Sequence, residues 1–370
     1  GRCHIHLINM GEQFKNANDK GLNILILGSI SNSRIAGSTL AQSSGFSEAI
    51  SVDTPAFDIK ARERIVDKAL TDYKLKVAGG EAEKADFLKY ASQITEYFSY
   101  NDLNSLIKKT RSVAIEREHA EITNEDLVEG YLQLTTGRLA ANNMPDYEKR
   151  LVASHECGHA TNLEVMRNLA LDTQIPWRSP EKVNFVTLDP RGWYGGAVYF
   201  SSKVENPEMS FEKMFADVVC SYGGHSAEKR FFGMDGSYGI TADLESATQT
   251  ANRAVMLMGQ GAHTGKLSVN GMLLTPSEEQ KEIMRKDVDA IMENALIISD
   301  DITKEYEDFN NKFADKYGKL VGTGSCIVLG EVFRKELNDW RKALPKAKQD
   351  DLLALNEIIK EVMKASQKGI

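Results

Sequence analysis

The stretch EKRLVASHECGHATNLEVMRNLAL, residues 148–171, decides the reading of this chain, and within it His155-Glu156-Cys157-Gly158-His159 matters most. From about residue 146 to 171 there is no proline, and apolar Leu151, Val152, Ala160, Leu163, Val165, Met166 and Leu169 recur, which predicts one long, largely buried helix. Residues four apart on a helix sit about 40° from each other round its axis, so His155 and His159 project side by side. Two imidazoles so placed can hold one zinc ion. Glu156 lies about 100° away, where its carboxylate reaches a water at the metal without becoming a ligand. The chemistry this layout suits is hydrolysis of a peptide bond by a metal-assisted water.

A catalytic zinc takes three protein ligands and leaves a position for water, so a third ligand has to come from elsewhere. A metzincin would place a histidine six residues beyond His159, but position 165 is Val. A carboxylate on another helix is the other common solution, and Glu164, Asp217, Glu228, Asp243 and Glu245 are the candidates. Asp243 stands in GSYGITADLESATQTANRAVMLMG, where the residues that follow are mainly small and apolar. That pattern predicts a helix packed beside another, and a carboxylate there needs a cation.

With 370 residues and 42% hydrophobic content, the chain has the composition of a folded protein of two or three domains. Forty-five basic against 53 acidic residues give a net charge of −8, which argues against nucleic acid as a partner. Cys3, Cys157, Cys220 and Cys326 have no paired spacing, so neither a disulfide framework nor a cysteine zinc site is expected. A reducing, cytoplasmic compartment fits that usage. No window reaches the 18 or so apolar residues of a membrane span. The chain opens on Gly1 rather than Met, so sequence upstream, with a membrane anchor in it, is expected.

The pattern along the chain is mainly α with small β elements. The continuous apolar run at residues 22–27 predicts a buried strand, and a second short strand is expected at 49–52. Four helices follow at 58–73, 83–97, 102–117 and 124–134, with Thr123, Asn124, Glu125 and Asp126 supplying capping residues for the last. Beyond the long helix, VNFVTL (183–188) and AVYFSS (197–202) flank the turn DPRGWYGG, which predicts a pair of adjacent strands. An open strand edge there would let an extended peptide join by backbone hydrogen bonds. Helices are then expected at about 210–231, 242–258 and 277–317, with a charged helix from residue 346 to the end.

Three ordered motifs carry a family resemblance: SHECGHA, then VVCSYGGHSAEKRFFG (218–233), then TADLESATQTANRAV (241–255). Together they resemble the successive signatures of the FtsH-type AAA+ zinc metalloproteases. The resemblance implies that His155 and His159 are metal ligands, that Glu156 is the catalytic glutamate and that Asp243 is the third ligand. It implies zinc as cofactor, protein substrates and a homo-oligomer, a hexameric ring. Upstream, LNILILGSISNSR is similar to the sensor strand of an AAA+ module. FSEAISVDTPAFDIKARERIVDKAL is similar to the junction into its lid, and DLNSLIKKTRSVAIEREHAEITNEDLVEGY to the lid itself. The implied organisation is a partial AAA+ α/β core at 1–56, a helical lid at 57–137, a zinc peptidase domain at 138–345 and a C-terminal helix at 346–370.

The ATPase half departs from the family. No Gly-x-x-x-x-Gly-Lys-Ser/Thr loop is present, and GQGAHTGKL (259–267) has Gln260 where the first glycine belongs. The family's arginine pair falls near Gln42 to Gly45, and neither arginine is there. ATP is therefore a cofactor only if a nucleotide-binding half lies upstream. Two functions follow from the residues. One is a zinc endopeptidase for unfolded or damaged proteins, in which Glu156 takes a proton from water and returns it to the leaving amine. The other is a proteolytically idle AAA+-like scaffold or chaperone subunit. His225, in GGHSAEK, is a candidate helper to the chemistry as well as a candidate packing residue.

Overall fold

The computed structural model describes Lys20 and residues 58–139, 144–172, 181–192, 195–201, 210–271, 275–324 and 326–368. The strands expected at 22–27 and 49–52, and the positions of the missing arginine pair, lie outside the described residues. From residue 58 onward the chain is mainly α with one small sheet, as its periodicity predicts.

Four helices come first: α1 (Ile59–Asp72), α2 (Glu81–Ile94), α3 (Tyr100–Glu116) and α4 (Asn124–Thr135). Their starts are set by side chains that accept the orphan N–H groups of the first turn. Asp58 Oδ1 takes the N–H groups of Lys60 and Ala61. Ser99 with Asp102, and Thr123 with Asp126, form reciprocal capping boxes at α3 and α4. The apolar faces of these helices meet in a core of Val66, Leu70, Phe87, Leu103, Leu106 and Leu127, which also takes in Phe185 and Leu329 from the sheet. The four-helix arm is thereby packed on the sheet rather than tethered to it.

The long helix α5 (Asp146–Asp172) is the axis of the second core. Its Ala153, Cys157, Ala160, Leu163, Val165, Met166 and Leu169 are all buried, so the helix is covered on most sides. The sheet beside it comprises β1 (Lys182–Thr187), β2 (Ala197–Ser201) and β3 (Ile327–Leu329), in the order β2-β1-β3 and antiparallel throughout. Phe185 sits opposite Tyr199 on one side and Leu329 on the other. The third strand has no counterpart in the sequence reading, because three residues are too few to set up a period of two.

Around α5 lie α6 (Phe211–Ser221), α7 (Gly223–Phe232), α8 (Thr241–Asn252), α9 (Glu278–Glu305), α10 (Glu307–Tyr317), α11 (Gly330–Ala343) and α12 (Lys346–Lys368). Two expected helices are each broken in two. The 210–231 segment turns at Tyr222, where α7 must change direction to cross α5 closely. The 277–317 segment bends at Tyr306, whose φ of −101° and ψ of 17° leave the helical region. The final turns of the 242–258 segment form a π-turn, Arg253–Leu257. Among the described residues, no helix is long and apolar enough to cross a membrane.

Candidate metal centre

The close crossing of α5 and α7 comes first, because everything at the site hangs on it. Gly158 and Gly223 meet backbone to backbone: a Cβ on Gly158 would lie 2.1 Å from the Gly223 carbonyl oxygen, and one on Gly223 2.6 Å from the His159 nitrogen. The next residue, Gly224, lies so near the His155 ring that a Cβ would come within 2.3 Å of it. Side chains at these positions would force the helices apart and displace the histidine.

His155 and His159 are both aimed by hydrogen bonds at Nδ1. His155 Nδ1 lies 2.8 Å from Glu228 Oε1 of α7, and His159 Nδ1 donates to the Cys220 carbonyl oxygen at 2.7 Å. Cys220 is in the last turn of α6, where carbonyls lack a partner within the helix. With Nδ1–H spent on these acceptors, each ring presents the Nε2 lone pair inward. The two Nε2 atoms stand 3.0 Å apart. Asp243 Oδ2, from the first turn of α8, is 3.3 Å from both. Just before α8, the Ser237 hydroxyl donates to Glu228 Oε1 at 2.9 Å and accepts the Gly239 N–H, tying the Asp243 segment to the holder of His155.

These separations fit a metal. Zinc bonds of about 2.0 to 2.1 Å in a tetrahedron place neighbouring ligand atoms roughly 3.3 Å apart. The three ligand atoms lie within 4.8 Å of one another. Two inward lone pairs at 3.0 Å repel unless a positive charge stands between them. The electrostatics point the same way. Burial alone would lower the His155 pKa, but Asp243 and Glu228 together raise it to about 10. His159 is likewise raised, burial being outweighed by Asp243. Burial would lift Asp243, yet the two imidazoles hold it far below the usual carboxylate range. The site is built to neutralise a cation, and a divalent ion would take the place of the protons.

Glu156 is buried on the same helix, and Gly196, just ahead of β2, rests against its carboxylate: a Cβ there would lie 2.8 Å from Oε1. Burial raises the Glu156 pKa against the opposing pull of His155 and His159. That shift brings the carboxylate nearer the range in which one group both accepts and returns a proton.

The other carboxylate candidates are engaged elsewhere. Glu164 accepts the Val183 N–H at 3.0 Å and an Arg334 N–H at 3.2 Å. Asp217 accepts from Lys213 at 2.6 Å, and Glu245 from Gln249 at 3.0 Å. Glu228 is at the site as the partner of His155 Nδ1. His225 Nε2 is 3.7 Å from Asp235, and its buried Nδ1 has no partner among the described residues. The roles of Glu228, Ser237 and the Cys220 carbonyl carry no signal of their own in the sequence. The Gly223-Gly224 pair is the one hint of a close approach.

A helix-borne pair of imidazoles facing a carboxylate from a second helix, in a mainly helical fold, is a donor set that could hold one metal ion. Residues 142–321 match peptidase family M41, and over most of its length the chain is similar to FtsH-type proteases. It is 24% identical over 339 residues to an ATP-dependent zinc metalloprotease FtsH of Neorickettsia risticii, covering 88% of this chain and 50% of that one. The FtsH of Caldicellulosiruptor bescii is 25% identical over 84% of this chain and 48% of its own. The chloroplastic FTSH 6 of Arabidopsis thaliana is 22% identical over 91% and 47%. The chain spans about half the length of the curated relatives it matches.

Proposed function

We propose that the chain is a zinc-dependent endopeptidase in which His155, His159 and Asp243 hold the metal and Glu156 is the catalytic base. The observation that carries this reading is the convergence of two Nε2 atoms and one carboxylate oxygen, each imidazole fixed from behind at Nδ1. When bound, zinc supplies a Lewis acid for the peptide carbonyl and makes water a better proton donor. Glu156 takes a proton from the attacking water as its oxygen joins the carbonyl carbon. It then delivers that proton to the amine nitrogen as the C–N bond breaks. Burial of Glu156 suits both steps, since its raised pKa eases the return of the proton.

Substrates are unfolded or damaged proteins, gripped in extended form. The support is β2, which among the described residues bonds only to β1 and starts beside the Glu156 carboxylate. Main-chain pairing on such an edge selects for unfolded chain rather than for particular side chains. Residues 57–137 act as an AAA+ lid, and the whole protein works as a hexameric ring in the cytoplasm, tethered by upstream sequence. ATP is bound only if a nucleotide half exists there, and the absence of arginines near Gln42 to Gly45 favours one that does not hydrolyse it. The test is elemental analysis of the purified chain with casein cleavage in added zinc. One zinc per chain, with casein cleaved by the native protein and spared by Glu156→Gln, is expected. Equal, null cleavage by both would leave a metal-binding scaffold instead.

A further inference from the structure

Asn162 lies seven residues after His155 and three after His159, so it continues the same face of α5. It is completely buried. Its Nδ2 donates to the Val219 carbonyl oxygen at 2.9 Å and to Ser299 Oγ of α9 at 2.8 Å. Because a carbonyl oxygen only accepts, the amide can point no other way. Ser299 Oγ lies in turn 2.9 Å from Ser226 Oγ of α7, and both serines are buried.

The placement of these partners matters. Val219 immediately precedes Cys220, whose carbonyl holds His159 Nδ1. Ser226 lies two residues before Glu228, which holds His155 Nδ1. One amide therefore reaches both arms of the elbow from which the two imidazoles are aimed, α6 directly and α7 through Ser299. The grip has a cost, because Asn162 Oδ1 is buried with no partner among the described residues. A leucine, with the same branching, would carry no such unpaired oxygen, so what the amide contributes is its two donated hydrogen bonds.

We propose that Asn162 is a positioning residue for the metal centre, setting the affinity and geometry of metal binding through the Val219–Cys220 carbonyls and the Ser299–Ser226 pair. The inference rests on the zinc reading above. Removing outer partners of histidine ligands typically weakens metal binding roughly 10- to 100-fold. The same fall in zinc affinity is expected for Asn162→Leu, which keeps the branched heavy-atom outline and removes both donors.

The measurement is zinc affinity by competition with a chromophoric chelator, together with the visible absorption of the cobalt(II)-loaded protein. Folding of the metal-free variant is checked by circular dichroism. A weakened affinity with shifted cobalt bands in a folded variant supports the proposal. A role confined to stability would lower the melting temperature and leave both readouts at native values, which overturns it. Should Asn162→Leu fail to fold, Ser299→Ala carries the test. It removes one link of the chain, so affinity intermediate between native and the tenfold loss is expected, and native affinity in that folded variant overturns the proposal. Native protein that takes up no zinc sinks the parent reading as well, whereas native uptake with unchanged variants sinks this inference alone.

Discussion

Two of the buried-charge clusters among the described residues are built from the same residue types to opposite ends. In the arm, Glu129 pairs with Arg191 from beyond β1, Arg117 Nη1 stands 3.0 Å from Asp126, and His119 Nδ1 lies 2.9 Å from the same carboxylate. Each acid there meets a cation that the chain itself supplies. At the metal centre, the Nε2 atoms of His155 and His159 face each other at 3.0 Å, with Asp243 as the third wall. Burial of charge is thus common to both clusters, and what separates a structural cluster from a functional one is whether the acceptors have already been answered.

The largest effect expected from this contrast is on turnover. Glu156→Gln keeps the shape of the side chain and both imidazoles, but the amide cannot take a proton from water. Casein cleavage should fall by about 10²- to 10⁴-fold, with zinc content unchanged. A variant that cleaves at the native rate would remove Glu156 from the chemistry, and null cleavage by both proteins would move the metal centre into the same structural class as the arm.

The arm should respond in the opposite sense, through stability alone. Arg191 is completely buried, donates to Glu129 and also to the Gly137 carbonyl, and lies in the turn after β1. Arg191→Met leaves Glu129 deep in the protein without its closest cation, which typically costs about 3 to 5 kcal/mol. Urea unfolding would read that loss while zinc content stays native. Chelation is the mirror image. Adding a strong chelator to protein held at a thousandfold excess of zinc over its dissociation constant should remove about 4 kcal/mol of stability. A melting temperature indifferent to the chelator would mean that the centre folds around its own protons and needs no metal.

How far the contrast could be read in the sequence depends on how local each cue is. His155, Glu156 and His159 are legible because one helix turn fixes their relation, and Thr123 with Asp126 because a capping box spans four residues. The selection of Asp243 over Glu164, Asp217, Glu228 and Glu245 needed a family likeness, since nothing within α8 says which helix it faces. Glu228 shows the limit well: the sequence offers it only as one of five candidate carboxylates, and only the crossing at Gly158 and Gly223 turns it into the holder of His155. Ile327–Leu329 was invisible for a different reason. A three-residue strand becomes one only when β1 is already in place to pair with it.

The smallest effect expected is a titration, and it isolates the arm cluster from the metal. Asp126 is fully buried, which would raise its pKa, but hydrogen bonds from His119, Thr123 and Arg117 outweigh burial and hold it below the ordinary value of 3.8. A carboxylate depressed on folding stabilises the protein above its unfolded pKa. That contribution is lost as pH falls below 3.8 through the folded value. Urea unfolding of the native protein and of Asp126→Asn across this acid range, in chelator so that the centre is silent, should show a steeper loss of stability in the native protein. Parallel slopes would mean that Asp126 gains nothing from its three donors on folding, and the arm would then be held by its apolar core and not by the answered charges.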